Sequence, residues 1–159
     1  MSDPFQSRRE HMVATQIAAR GVSDSRVLGA MRAVRRHEFI DANQSELAYV
    51  DGPLSIGFGQ TISQPYIVAL MTVLLDAHPR SRVLEIGAGC GYQTAILCRL
   101  AGHVFAVERV PELCTLALEN LKRARCENFT LKNGDGTQGW PEHAPFDRVL
   151  VAACSPEIP

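Results

Sequence analysis

The chain has 159 residues, 46% hydrophobic and 21% charged, with a formal net charge of -1. That length and apolar content suffice for one sizeable core, and the near-neutral balance excludes a surface built as a whole to attract duplex DNA or an anionic bilayer. Five cysteines, at 90, 98, 114, 126 and 154, contain no CxxC pair; they form neither an even disulfide set nor a zinc-ligand pattern, so reduced thiols and no metal site are expected.

The N-terminal "MSDPFQSRREHM" lacks the apolar stretch of a signal peptide. The longest apolar run, "IVALMTVLL" at 67–75, is too short to cross a bilayer. A soluble cytoplasmic protein with no membrane and no nucleic-acid partner is expected. In chain order, "MVATQIAAR" reads as a helix ending at Gly21, a C-cap; Ser23 or Asp24 then caps a second helix carrying Val27, Leu28, Met31 and Val34. Next comes "SIGFGQTISQPY" at 55–66, uncharged and rich in glycine, which fits neither a solvated linker nor a core strand. Ser63 or Gln64 followed by Pro65 opens a third helix, with Ile67, Leu70, Met71, Leu74 and Leu75 as its buried face and an end near His78 and Pro79.

Beyond Pro79 the pattern alternates: "RVLEI", "YQTAILCRLAG", "HVFAVE", "PELCTLALENLKRA", "FTLKN", "FDRVLVAA". Short strands rich in Val, Leu, Ile and Phe joined by helical stretches predict a parallel sheet covered on both faces, hence an α/β, Rossmann-like doubly wound fold with an N-terminal helical extension.

"VLEIGAGCGYQTA" places glycines at 87, 89 and 91 between a strand ending at Ile86 and a helix beginning near Tyr92. Glycines are needed there for positive φ or for close approach of a ligand. Glu108 ends the next strand 21 positions after Gly87, close to the roughly 20-residue interval at which an acid meets a ribose. The adjacent Arg109 reads as a solvated charge. A third strand runs into "NGDGTQGW", which brings Asp135 and Gly136 to the same edge either as a plain turn or as an acceptor for an adenine amino group. The spacing is G-x-G-x-G, not the dinucleotide G-x-G-x-x-G. With Glu85 in the strand it resembles motif I of class I methyltransferases that use S-adenosylmethionine; Glu85 would order the turn or meet the methionine ammonium, or is a strand-end group satisfied by backbone amides.

Together, "AYVDGPLSIGFGQTISQPYIVALMT", "VLEIGAGCGYQTAIL", "VFAVER", "NGDGTQGW" and "FDRVLVAA" resemble the protein-L-isoaspartate O-methyltransferase family over nearly the whole chain. The resemblance implies methyl transfer from S-adenosylmethionine, leaving S-adenosylhomocysteine, to the α-carboxylate of L-isoaspartyl and more weakly D-aspartyl residues in damaged proteins and peptides. It implies Ser63 as the catalytic-site serine, with a helix N-cap as its alternative role, and a cofactor set of Gln60, Thr61, Ile62, Ser63, Glu85, Gly87, Ala88, Gly89, Gly91, Glu108, Arg109, Asp135 and Gly136.

Within one domain, 1–62 would hold the N-terminal helices and substrate loop and 63–159 the cofactor-binding core. Arg35 stands where the family commonly has proline, and Cys154 with Ser155 occupies a loop that is more often rich in Ala and Pro. Family members continue past "SPEIP", so a sheet truncated after its fourth strand, an uncovered Val-Leu-Val edge and self-association through it are expected. The competing readings are another class I methyltransferase and a nucleoside-binding module without turnover.

Overall fold

Four strands, β3 (Arg82–Ile86), β4 (His103–Glu108), β5 (Phe129–Asn133) and β6 (Arg148–Val151), make one parallel sheet in the order β5-β4-β3-β6, in a computed structural model that describes residues 3–153. Cys154, Ser155 and the stop at Pro159 lie outside the described residues.

The N-terminal helical run starts at α1 (Gln6–His11), continues through a π-helical turn (Met12–Ile17) and a 3₁₀ turn (Ala18–Arg20), and ends on Gly21 at φ 94°. It begins before the expected "MVATQIAAR" but stops at the expected glycine. Asp24 caps α2 (Ser25–Ala33), accepting from the amides of Arg26 and Val27, an arrangement typically worth about 1 kcal/mol. Two 3₁₀ segments, Arg36–Phe39 and Ala42–Leu47, then lead to a feature that periodicity did not predict. The glycine-rich loop is an antiparallel hairpin, β1 (Leu54–Gly57) with β2 (Gln60–Ile62). Its tip holds Gly57, Phe58 and Gly59 all at positive φ, which is why glycine flanks the turn.

Helix α3 (Pro65–Leu75) opens on its proline, as expected, and ends at Asp76 in a left-handed conformation, short of His78. The face it buries is the expected one only at Leu75. Val68, Ala69, Thr72 and Leu75 are inside, whereas Ile67 is exposed and Leu74 is 75% exposed. The segment is apolar nearly all round, so periodicity had no polar side from which to choose.

Strand β3 (Arg82–Ile86) leads into α4 (Tyr92–Cys98), β4 (His103–Glu108), α5 (Pro111–Arg123), β5 (Phe129–Asn133) and β6 (Arg148–Val151). Alternation along β3 sends Val83 and Glu85 to the face covered by α3, α4 and α5, and Leu84 and Ile86 to the other. Among the described residues α-helices cover only the first face. Trp140 and Phe146, from the β5–β6 connection, pack on Leu84, Ile86, Phe105 and Val107 across the second. Leu150 of β6 is buried, while Val149 is 54% exposed and Val151 is also exposed. No helix among the described residues is long and apolar enough to cross a membrane.

The chain passes outward from β3 to β4 and β5, then returns to place β6 on the other side of β3. That reversal is a topological switch point, and in open α/β sheets ligand crevices form at the carboxyl ends of the strands there.

Candidate active site at the switch point

The three glycines differ in what they make possible. Gly87, Gly89 and Gly91 have φ of 89°, 55° and 88°, all unfavourable for residues with a Cβ. At Gly87 a Cβ would also stand 2.9 Å from the Cβ of Ala153, so the chain ends of β3 and β6 approach this closely only with glycine. Gly91 faces away from the switch point; a Cβ there would meet Leu121 and Ala117 of α5, so its part is helix packing. The turn is tied to β4 by amides of Gly87 and Ala88 donating to the Val107 carbonyl at 2.8 and 3.2 Å.

Glu108 closes the turn from the next strand. Its Oε2 accepts from the Gly89 amide at 2.7 Å and its Oε1 from the Val110 amide at 2.8 Å. Each carboxylate oxygen keeps acceptor capacity beyond these single bonds. One strand further, Asp135 is exposed, with Oδ1 accepting from the amide and hydroxyl of Thr137; these bonds, the backbone one foremost, hold its pKa below the usual carboxylate value. Gly136 lies directly on Ile86: a Cβ there would be 2.3 Å from Ile86 Cγ2.

From the opposite side the hairpin and the start of α3 deliver Thr61, Ile62 and Ser63. These line one small cleft of about 40 Å³ with Gly87, Ala88, Gly89, Gln93 and Ala152. Ile56 of β1 packs over the turn, its Cδ1 3.3 Å from where a Gly89 Cβ would stand. The N-cap of α3 is Gln64, and no side chain caps that helix, so the N-cap alternative for Ser63 does not hold. The Ser63 carbonyl accepts from Arg36 Nη2 at 2.8 Å.

Most of the expected residues therefore meet at one edge: Thr61, Ile62, Ser63, Gly87, Ala88 and Gly89 in the cleft, Glu108 beside them, Asp135 and Gly136 beyond. Gln60 and Arg109 are exposed outside the cleft. Glu85 is not in it either. It is wholly buried beneath α4, where its Oε2 accepts from Thr94 Oγ1 at 2.6 Å and its Oε1 has no partner. Burial pushes its pKa up to about 8, against the lowering effect of the Thr94 bond. Its place is under the turn, ordering the helix, not facing a ligand ammonium; alternation along β3 turns it to the helix-covered side.

Sequence reasoning passed over Gln93, whose Nε2 donates to Thr72 Oγ1 while its buried Oε1 has no partner, and over Arg36. Gln93 follows the last glycine by two positions, a signal that was available. Arg36 had none, because nothing local marks an arginine that will be buried.

Comparison with known proteins agrees with this geometry. The sequence matches the family described as protein-L-isoaspartate(D-aspartate) O-methyltransferase over residues 7–159. It is 54% identical to the protein-L-isoaspartate O-methyltransferase of Methanoculleus marisnigri over 99% of this chain and 72% of that one. Against the enzyme of the same name from Synechococcus sp. identity is 51% over 99% and 65%. The chain thus spans about two thirds to seven tenths of these relatives' lengths. Among solved structures, one named protein-L-isoaspartate O-methyltransferase superposes with a TM-score of 0.82 at 33% identity, covering 90% of this chain and 47% of that one. A Plasmodium falciparum structure assigned to the same enzymes, in complex with S-adenosyl-L-homocysteine, gives a TM-score of 0.80 at 29% identity, covering 99% and 77%. This chain belongs to the protein-L-isoaspartate(D-aspartate) O-methyltransferase family.

Proposed function

We propose that this protein transfers a methyl group from S-adenosylmethionine to the free α-carboxylate of L-isoaspartyl residues, and more weakly of D-aspartyl residues, in damaged proteins and peptides in the cytoplasm. The observation that carries the reading is the placement of Ser63 in one cleft with the glycine turn at the β3/β6 switch point. Residues 1–62 supply the substrate side of that cleft and 63–159 the cofactor side, within one domain.

The residues present fit the cofactor. Gly87 and Gly89 bring bare backbone to the wall of the cleft, Glu108 offers two oxygens to a pair of ribose hydroxyls, Asp135 keeps Oδ2 for an adenine amino group, and the orphaned Gln93 Oε1 awaits a donor. When bound, the cofactor supplies an electrophilic methyl group on a sulfonium. Gln60, Arg109 and Gly136 frame this site from its rim, Gly136 by letting the chain lie on Ile86.

The substrate needs no general base. An α-carboxyl group has a pKa of about 3.3–3.7 and is already an anionic nucleophile at neutral pH. The chain's task is to hold one carboxylate oxygen in line with the methyl carbon, and placement of this kind contributes roughly 7–11 kcal/mol in favourable systems. The Ser63 hydroxyl, free of any capping bond, donates to the carboxylate and orients it. The hairpin supplies amides and hydroxyls without acids, so it does not repel an anion.

Ser63→Ala tests this. Methyl transfer to an isoaspartyl peptide should fall by about tenfold or more, with S-adenosylhomocysteine affinity unchanged by calorimetry and thermal stability barely altered. The aspartyl isomer of the same peptide is the control. Undiminished turnover would remove Ser63 from the mechanism, and turnover on both isomers alike would point to a different methyltransferase substrate.

A further inference from the structure

We propose that Arg36 is a positioning residue for methyl transfer: its guanidinium, enclosed directly behind the cleft, holds the main chain of Ser63 and lends the carboxylate site a positive charge that the cleft lining lacks. This rests on the function proposed above.

Arg36 is 0% exposed. Nε donates to the Ala48 carbonyl and Nη2 to the Ser63 carbonyl, both at 2.8 Å, while Cζ lies 5.0 Å from the centroid of the Tyr92 ring. The guanidinium thereby joins three separate pieces: the N-terminal segment before the hairpin, the loop after it, and the first residue of α4 just past the glycine turn. Among the described residues no carboxylate pairs with it, and Nη1 has no hydrogen-bond partner. Burial pushes its pKa down; Ser63, whose carbonyl it holds, and Tyr92, whose ring it faces, both line the cleft, so the guanidinium lies directly behind that lining.

For folding alone this is a poor choice of residue. A buried unpaired cation is costly, and an apolar side chain of similar volume commonly replaces such a group with no loss of stability. What only arginine supplies is a rigid fork of donors that spans two carbonyls while carrying charge. One of those carbonyls belongs to Ser63. No Arg or Lys lines the cleft, yet its proposed substrate is a carboxylate. A guanidinium one layer back holds the serine in place and favours the anion without offering a competing ion pair to the reacting oxygen.

Two variants separate the contributions. Arg36→Lys keeps the charge but cannot span both carbonyls; Arg36→Met removes fork and charge at similar volume. Three quantities are read in each: kcat and KM on an isoaspartyl peptide, S-adenosylhomocysteine affinity by calorimetry, and amide hydrogen exchange over residues 60–65. Cofactor affinity should stay within about twofold, while kcat/KM falls about tenfold in Arg36→Lys and about a hundredfold in Arg36→Met. Exchange at 60–65 should accelerate in both. In a Ser63→Ala background Arg36→Met should cost less than about threefold more, because the two residues act as one unit. Unchanged exchange at 60–65, equal losses of cofactor affinity and kcat/KM, or full additivity with Ser63→Ala would each overturn the proposal. Should Arg36→Met fail to fold, exchange and kinetics in Arg36→Lys decide. If the unaltered protein itself fails to methylate isoaspartyl peptide, the functional reading fails, and the exchange measurement still tests whether Arg36 holds Ser63.

Discussion

Replacing Glu85 by glutamine should change how stability depends on pH, and the sign follows from its burial. Glu85 has no exposure, and its one hydrogen bond inside the protein comes from Thr94. Its pKa rises from 4.5 to about 8 on folding, chiefly through desolvation. Between those values the folded protein holds a proton that the unfolded chain has lost. The unfolded state therefore binds fewer protons, and stability falls as pH rises through this window. The slope for one proton is about 1.4 kcal/mol per pH unit, so from about pH 5.5 to about pH 7.5 this group costs roughly 2–3 kcal/mol. Glutamine is neutral throughout, keeps an acceptor for Thr94, and leaves one polar atom unpartnered just as the protonated acid does. Glu85→Gln should match the parent near the acid end of the window and exceed it increasingly toward pH 8. Urea unfolding of both proteins across the range measures this, and other titrating groups cancel in the difference because both chains share them. A stability difference that stays constant with pH would refute the assignment of a buried, protonated Glu85.

Three further outcomes follow from particular contacts. Glu108→Ala releases the Gly89 and Val110 amides together with the proposed ribose site, so S-adenosylhomocysteine affinity should drop by about ten- to a hundredfold; a folded variant with parental affinity by calorimetry would reject the role. Gly136→Ala brings a Cβ to 2.3 Å from Ile86 Cγ2, and the displacement should destabilise by about 1–3 kcal/mol in urea titration; a neutral result would mean that Ile86 moves freely. In limited alkylation, Cys126 should react before Cys90. Cys126 is half-buried and its pKa is lowered, chiefly by the neighbouring Cys98 thiol, whereas Cys90 is buried, which pushes its thiol up to about 11. Peptide mass spectrometry showing the reverse order would contradict those environments.

How much of this protein its sequence alone determined depends on the range over which each feature is decided. The end of the first helix at Gly21, the Asp24 cap, the proline start of α3 and the glycine turn after β3 were legible, because each depends on a few adjacent residues and on backbone angles that only certain side chains allow. The parallel α/β class followed from short apolar strands alternating with helices, and the Gly87–Glu108 spacing brought turn and acid to neighbouring strand ends. The tertiary structure decided the rest. Leu74 points outward and Val68 inward because packing chose a side of an almost uniformly apolar helix, and Gly91 serves α5 where the local motif suggested a ligand contact. Glu85 faces Thr94 because strand alternation and the helix-covered face together determine which side it occupies. Arg36 reaches Ser63 across 27 positions of chain. Local chemistry specifies conformation within a few residues, but which side chain ends beneath which loop depends on long-range packing that no short segment encodes by itself.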